Sequence, residues 1–220
     1  MEITPIADFR SPLSSKFGIP RQSGLAGSLE GRIVFRKPYG AAEALRGLDG
    51  FDRIWLIWGF SAVPEGRDWQ PTVRPPRLGG NVRMGVWATR SPFRPNGLGL
   101  SCVRILSIDD GEIRVAGADL MDGTPIYDIK PYVVYADARP EAHSGFVDTT
   151  DWKPLQVVIP EPLARHIPSS ELKALEAVLA QDPRPAYHED PERIYGMSFL
   201  TFDVCFRVSD DILTVVDITS

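Results

Sequence analysis

Hydrophobic residues in the first 160 positions come in short runs bounded by turn residues, in a stretch dense in proline and glycine. Short apolar runs between turn residues are the signature of strands, and little of the sustained three-to-four spacing of a helix is present. The pattern predicts strands at Thr4 to Phe9, Gly31 to Phe35, Arg53 to Phe60, Arg83 to Ala88, Leu100 to Ile108, Glu112 to Ala118 and Val133 to Tyr135. Ile108-Asp109-Asp110-Gly111-Glu112 reads as a hairpin turn, because Asp-Gly supplies the positive-φ conformations of a tight reversal. One short helix is expected from Ala41 to Leu48. So many short strands in one domain predict a mainly β protein built on a closed or nearly closed antiparallel β-barrel, since closure removes exposed sheet edges.

The texture changes near Pro160. Ser169 or Ser170 is placed to cap a helix in which Leu172, Leu175 and Val178/Leu179 share one face, and Asp182-Pro183 stops it. Phe202, Val204, Phe206 and Val208 then alternate, Ser209-Asp210-Asp211 turns the chain, and Ile212 to Ile218 returns as a second strand. The expectation is a barrel domain at residues 1–159 and a small α+β domain, a helix plus a hairpin, at residues 160–220. A segment of that size is too small for a core of its own, so it should pack on the barrel or on a second subunit. No internal repeat or low-complexity tract is present.

Composition changes this picture little. With 43% hydrophobic and 24% charged residues in 220, the chain has ordinary globular make-up. The longest strongly apolar run, Ile54 to Phe60, falls far short of the roughly 20 residues of a membrane-spanning helix. Met1-Glu2-Ile3-Thr4-Pro5 lacks the basic start and apolar core of an export signal, so a cytoplasmic protein with no membrane partner is expected. Cys102 and Cys205, with three scattered histidines, offer neither a disulfide framework nor metal-ligand spacing, and no metal is expected.

Charge says more. Residues 1–104 hold 15 Lys and Arg against 8 Asp and Glu, whereas the remainder holds 9 against 21. Of the 24 basic residues 19 are arginine, and six of these fall between Arg67 and Arg94, where Asp68 is the only acid. Arginine's planar fork suits phosphates and base edges, which makes the basic half a candidate nucleic-acid face. The densest stretch runs from Pro71 to Asn81 and on from Gly85 to Ser101. Its prolines and glycines hold Arg74, Arg77, Arg90 and Arg94 on stiff loops, which lowers the entropy lost when they bind.

A second constellation runs from Asp119-Leu120-Met121-Asp122 to Asp128-Ile129-Lys130-Pro131-Tyr132 and sets three carboxylates, an ammonium and the Tyr132 phenol within 14 positions. Such a mixture beside a strand end is the make-up of a polar pocket. An acid, a proline and an aromatic ring in close succession can accept a hydrogen bond from an amino group and stack on a base together. Lys16 to Gln22 is a candidate pocket lining, and Gln181 to Tyr187 a candidate arm reaching a neighbour. Phosphate-cradling Gly-x-x-x-x-Gly-Lys, Gly-x-Gly-x-x-Gly and Gly-x-Ser-x-Gly are all missing, which removes weight from nucleotide hydrolysis, a Rossmann cofactor site and serine-esterase chemistry.

In order along the chain, Lys16 to Gln22, Ala44-Leu45-Arg46-Gly47-Leu48 before Phe51 and Trp55, Pro71 to Asn81, Arg90 to Ser101, Asp119 to Tyr132 and Gln181 to Tyr187 resemble the TsaA-like/TrmO family of tRNA methyltransferases. The resemblance covers nearly the whole chain. It implies transfer of a methyl group from S-adenosylmethionine to N6 of N6-threonylcarbamoyladenosine, the tRNA nucleotide 3′ of the anticodon, by an antiparallel barrel that works as a homodimer. It also implies cofactor contacts at Pro20, Arg21, Gln22, Phe60, Ser61, Arg90, Leu100, Asp119, Leu120, Met121 and Asp122. The chain departs from the family pattern at Ser61 and Ala62, where the bacterial form carries His-Gln, and it has one extra residue before Trp69.

Methylation of an exocyclic amine needs alignment more than acid or base help, because a sulfonium is already a good leaving group. Residue type and position nominate Asp128 as acceptor for the amine and Tyr132 as the stacking or orienting ring. By the same reasoning Lys130 and Arg94 are the cations for the threonylcarbamoyl carboxylate or a phosphate. Arg74 and Arg77 are candidates for tRNA phosphates. Arg184 and Tyr187, docked over the neighbouring barrel, are candidates for holding a flipped-out base. The alternative is a barrel that binds S-adenosylmethionine or RNA without turnover, and retention of the Arg90 and Asp119 blocks favours the enzyme.

Overall fold

The computed structural model describes residues 2–63, 69–75, 82–150, 152–185 and 190–220. Its barrel is made of β1 (Ala7–Arg10), β2 (Glu30–Phe35), β3 (Arg53–Gly59), β6 (Leu98–Asp109), β7 (Glu112–Ala116) and β8 (Pro125–Pro131), with a ribbon of β4 (Thr72–Val73) and β5 (Met84–Gly85) set between β3 and β6. The six strands close in the order β1-β2-β7-β6-β3-β8, every pairing antiparallel. Alternation explains the closure: Phe9, Ile33, Ile54, Leu56, Trp58, Val103, Ile113, Val115 and Ile126 all turn inward and fill the barrel. The predicted reversal at Asp110-Gly111 joins β6 to β7, with Gly111 at φ +75°.

Four local expectations change. Neither Ser169 nor Ser170 caps the helix Leu172–Leu179, whose N-cap is Glu171 with no side-chain hydrogen bond. Arg83 to Ala88 is strand only at β5, and Val86–Ala88 is a single 3-10 turn. The helix expected from Ala41 to Leu48 is the shorter α1 (Ala42–Leu45) followed by a 3-10 turn. The strand expected at Val133 to Tyr135 lies earlier, as β8, and its place is taken by α2 (Val134–Asp137), whose Asp137 carboxylate accepts the Val133 N–H at 2.8 Å. Pro125 and Pro131 disguise β8 in the sequence, yet they occupy its first and last positions, where a ladder tolerates proline.

The C-terminal part has its own core. β9 (Gln156–Val158), α3 (Glu161–Ala164), α4 (Leu172–Leu179), β10 (Tyr195–Phe199), β11 (Phe202–Ser209) and β12 (Ile212–Thr219) follow in sequence. They give a four-stranded sheet in the order β10-β11-β12-β9, with β9 parallel to β12, where a helix and one hairpin were expected. Ala174, Leu175, Val178 and Leu179 of α4 pack on this sheet, and so do Leu13, Ala26 and Leu29 from the segment joining β1 to β2. That segment therefore lies between the two cores, tied to the second by Leu200 N–H donating to Pro12 O at 2.7 Å. Both cysteines are free, and among the described residues no helix is long and apolar enough to cross a membrane.

Candidate active site

β6 pairs with β7 only from Arg104 onward, because β7 ends at Ala116. The loop around Pro20 to Gly24 covers the open edge that results. Cys102 N–H donates to Ser23 Oγ at 3.2 Å and Gly24 N–H to Gly117 O at 2.8 Å. Arg90, from the loop before β6, donates through Nη1 to Gln22 Oε1 at 2.5 Å. Pro20 beside it is buried, and Arg21 and Gln22 are half-buried.

Asp119 completes this corner. Its Oδ1 accepts the Ser101 hydroxyl at 2.5 Å, and Ser101 Oγ accepts the Trp58 indole N–H at 2.9 Å. An indole nitrogen only donates, so the serine proton has to point at Asp119, which fixes the direction of the relay. Burial pushes the Asp119 carboxyl above the usual carboxylate range, opposed by the Ser101 hydrogen bond and the nearby Arg90 charge. Gly99 makes room for the arrangement, since a Cβ there would lie 2.3 Å from the Trp58 ring.

The outer wall of the barrel brings in a second group. Ile54, Leu56 and Trp58 of β3 face inward, so Trp55 and Ile57 face out. In register, Leu100, Ile57 and Asp128 form one row across β6, β3 and β8, and Cys102, Trp55 and Lys130 form the next. Leu100 and Asp128 are thus two strand spacings apart, about 10 Å. Lys130 Nζ lies 2.9 Å from Asp128 Oδ2, Asp128 Oδ1 accepts the Ile129 N–H at 2.9 Å, and the Tyr132 and Trp55 rings are 5.8 Å apart.

Two cavities flank these groups. One of about 640 Å³ is lined by Phe60, Ser61, Asn96, Gly97, Leu98 and Tyr127 among others, with Phe60 edge-on to Trp58 at 4.4 Å. The other, about 200 Å³, lies between Lys16, Ile19 and Arg21 on one side and Val178, Gln181 and Pro183 on the other, all of one chain. Among the described residues no group of three or more His, Cys, Asp or Glu side chains is arranged to hold a metal ion.

The remaining sequence-predicted residues are dispersed. Leu120 belongs to the barrel core. Asp122 turns away from Asp119: it accepts the Ser11 N–H at 3.0 Å and pairs with Arg10 at 3.6 Å. Met121 is half-buried, and its carbonyl closes a turn with the Thr124 N–H at 3.2 Å. Arg94 is engaged by the carbonyls of Val86 and Thr89, with its guanidinium 5.2 Å from the Trp87 ring centre. Arg74 is exposed just past β4. Arg184 grips Asp182 through Nε and Nη2 at 2.8 and 3.0 Å. Arg77 and Tyr187 lie outside the described residues.

Sequence reasoning missed Ser23, Trp55, Trp58 and Ser101. A signal for the buried pair exists: alternation puts Trp58 and Ser101 inside the barrel, and a buried indole N–H requires an acceptor.

Residues 8–138 match the family described as tRNA-methyltransferase O N-terminal domain, and residues 153–220 match the TrmO C-terminal domain. The chain belongs to the TrmO family. It is 40% identical, over 93% of its length and 92% of the relative's, to the tRNA (adenine(37)-N6)-methyltransferase of Escherichia coli strain K12. It is 38% identical, over 98% and 96%, to a Pseudomonas aeruginosa protein provisionally named as an S-adenosylmethionine-dependent methyltransferase. A crystal structure of TrmO from Pseudomonas aeruginosa superposes on all of this chain and 99% of its own, with a TM-score of 0.81 at 32% identity. The expected barrel and the expected family therefore both hold.

Proposed function

We propose that this TrmO-family protein methylates N6 of adenosine 37 in tRNA, that S-adenosylmethionine is the methyl donor, and that the adenosine carries a threonylcarbamoyl group. The observation that carries the reading is that two polar groups meet the same stretch of β6. Gln22, Arg90 and Asp119 lie along its open edge, and Asp128, Lys130 and Tyr132 share the outer wall with Leu100. S-adenosylmethionine combines a sulfonium, a carboxylate and an adenine, and the residues present suit all three. Asp119 is a half-buried carboxylate, Arg90 a guanidinium, Leu100 an exposed apolar side chain, and Phe60 an apolar wall of the large cavity.

The donor supplies an activated methyl group and leaves as a neutral thioether. The protein's task is alignment. Asp128 accepts a hydrogen bond from the N6 amine, and the carboxylate is the nearest base for the proton that the alkylated nitrogen releases. Lys130, already beside Asp128, meets the carboxylate of the threonylcarbamoyl group, and Tyr132 orients the base against Trp55. Arg74 and Arg77 meet tRNA phosphates. In a homodimer, Arg184 and Tyr187 reach the base held by the other subunit. Residues 1–159 carry the chemistry, residues 160–220 assist with the tRNA, and the cytoplasm, where tRNA is matured, is the place of action. The test is the nucleoside content of tRNA from cells lacking the gene. The methylated form of threonylcarbamoyladenosine should disappear and return on complementation, and its persistence would refute the assignment.

A further inference from the structure

Two indoles on the ribbon side of the barrel have no part in the site described above. Trp69 and Trp87 are 48% and 64% exposed, and their rings stack with centroids 6.2 Å apart and planes 27° from parallel. Exposed tryptophans in a pair, at such cost in wetted apolar area, mark a contact surface. The mounting is stiff. Thr72 pairs with Gly85 across the ribbon, and Val86 N–H donates to Pro71 O at 3.0 Å. The loop beyond Trp87 is folded by a run of side-chain turns: Thr89 Oγ1 to Val86 O at 2.9 Å, Ser91 N–H to Thr89 Oγ1 at 3.3 Å, and Phe93 N–H to Ser91 Oγ at 3.2 Å. Arg94 sits over Trp87, and Arg90 on the same loop reaches Gln22. The platform is therefore three residues along a braced loop from the candidate cofactor corner.

We infer that Trp69 and Trp87 form a stacking platform for an unpaired nucleotide of the RNA substrate, next to the nucleotide that is modified. This rests on the tRNA reading above and adds to it the residues that grip the strand. Charge selects RNA over a second copy of the chain. From Trp69 to Leu98 the sequence contains five arginines and no acid. A two-fold interface through this face would set Arg74, Arg83 and Arg90, all exposed, against their copies, whereas a phosphate backbone neutralises them as its base stacks. Every base has a π face, so the platform adds affinity without fixing sequence.

The test uses the full chain and a fluorescently labelled anticodon stem-loop. Trp87→Ala and Trp69→Ala should each weaken RNA binding by roughly 5- to 150-fold. Trp87→Phe and Trp69→Phe should restore most of it. S-adenosylmethionine affinity, read by calorimetry, should stay at the wild-type value and so report an intact fold. If the alanine variants fail to fold, the Trp69→Phe/Trp87→Phe double variant decides by another route: RNA should quench tryptophan emission in the wild type and much less in that variant. Undiminished RNA affinity in a folded double alanine variant overturns the platform, and so does full quenching in the double phenylalanine variant. A double alanine variant that binds RNA normally but loses its dimer assigns the surface to a second copy. Wild-type protein that binds no tRNA at all would strike the proposed function itself, a result separable from each of these.

Discussion

Replacing Ser101 with alanine cuts the relay of Trp58, Ser101 and Asp119 at its centre. Ser101 is fully buried and Trp58 is 6% exposed, so water cannot take the place of the lost hydroxyl. An orphaned buried N–H costs about 1–3 kcal/mol, and a lost hydrogen bond to a carboxylate about 1.5–3 kcal/mol. The two overlap, because Asp119 can relax by taking up a proton, so the net loss near pH 7 should be about 2–4 kcal/mol. For a chain of this size that lowers Tm by roughly 4–16 °C.

The loss should depend on pH in one direction. The Asp119 pKa is raised in the folded state, chiefly by burial, so its stabilising contribution is full below the unfolded pKa and fades as pH rises through the folded value. Without Ser101 the folded value rises further, and the gap between variant and wild type should narrow as pH falls toward the ordinary aspartate range, about 3.9. Thermal unfolding without cofactor, at neutral and at mildly acidic pH, reads this directly. The Trp58→Phe/Ser101→Ala double variant should be less damaged than the sum of the singles, because no donor is orphaned. Additive losses, equal at both pH values, would refute the relay.

Gly99→Ala sets a methyl 2.3 Å from a buried indole and should cost about 1–3 kcal/mol or prevent folding, whereas an unchanged urea midpoint would contradict the packing. Lys130→Ala removes one half of an exposed ion pair, its side chain 63% accessible, and should cost less than about 1 kcal/mol of stability. The same variant should lower kcat/KM for methyl transfer by roughly ten-fold or more if alignment of the substrate depends on that cation. Arg36→Ala removes the two hydrogen bonds that hold the Asp8 carboxyl below its usual range, and should lower stability slightly at neutral pH. A lowered folded pKa gives stability that is present above the unfolded value and lost as pH falls through the folded one, so this difference should vanish in acid.

The barrel was legible because its strands are short apolar runs closed by turn residues. β8 was not, since prolines bound it and its outward positions, Asp128 and Lys130, are charged like a loop. β9 is only three residues long, and β10 is broken by Gly196, so neither stands out from the turns around it. At the site, a block of consecutive residues was read as one ligand contact, yet the structure sends Asp119, Leu120 and Asp122 to three different environments. Arg94 was read for its charge, and the sequence does not show that its guanidinium also donates to the carbonyls of its own loop. The Trp69 and Trp87 pair forms across a ribbon, at a distance along the chain that no local pattern spans.

Methyl transfer to N6 of the modified adenosine 37 is tested most directly with purified protein. S-adenosylmethionine carrying an isotopic methyl group is incubated with tRNA whose adenosine 37 either carries or lacks the threonylcarbamoyl group, and the digested nucleosides are resolved by mass spectrometry. Label is expected in a single nucleoside, threonylcarbamoyladenosine heavier by one methyl, and none in the tRNA that lacks the modification. Label in a different nucleoside, or no transfer to either tRNA by a protein that binds the cofactor, would contradict it.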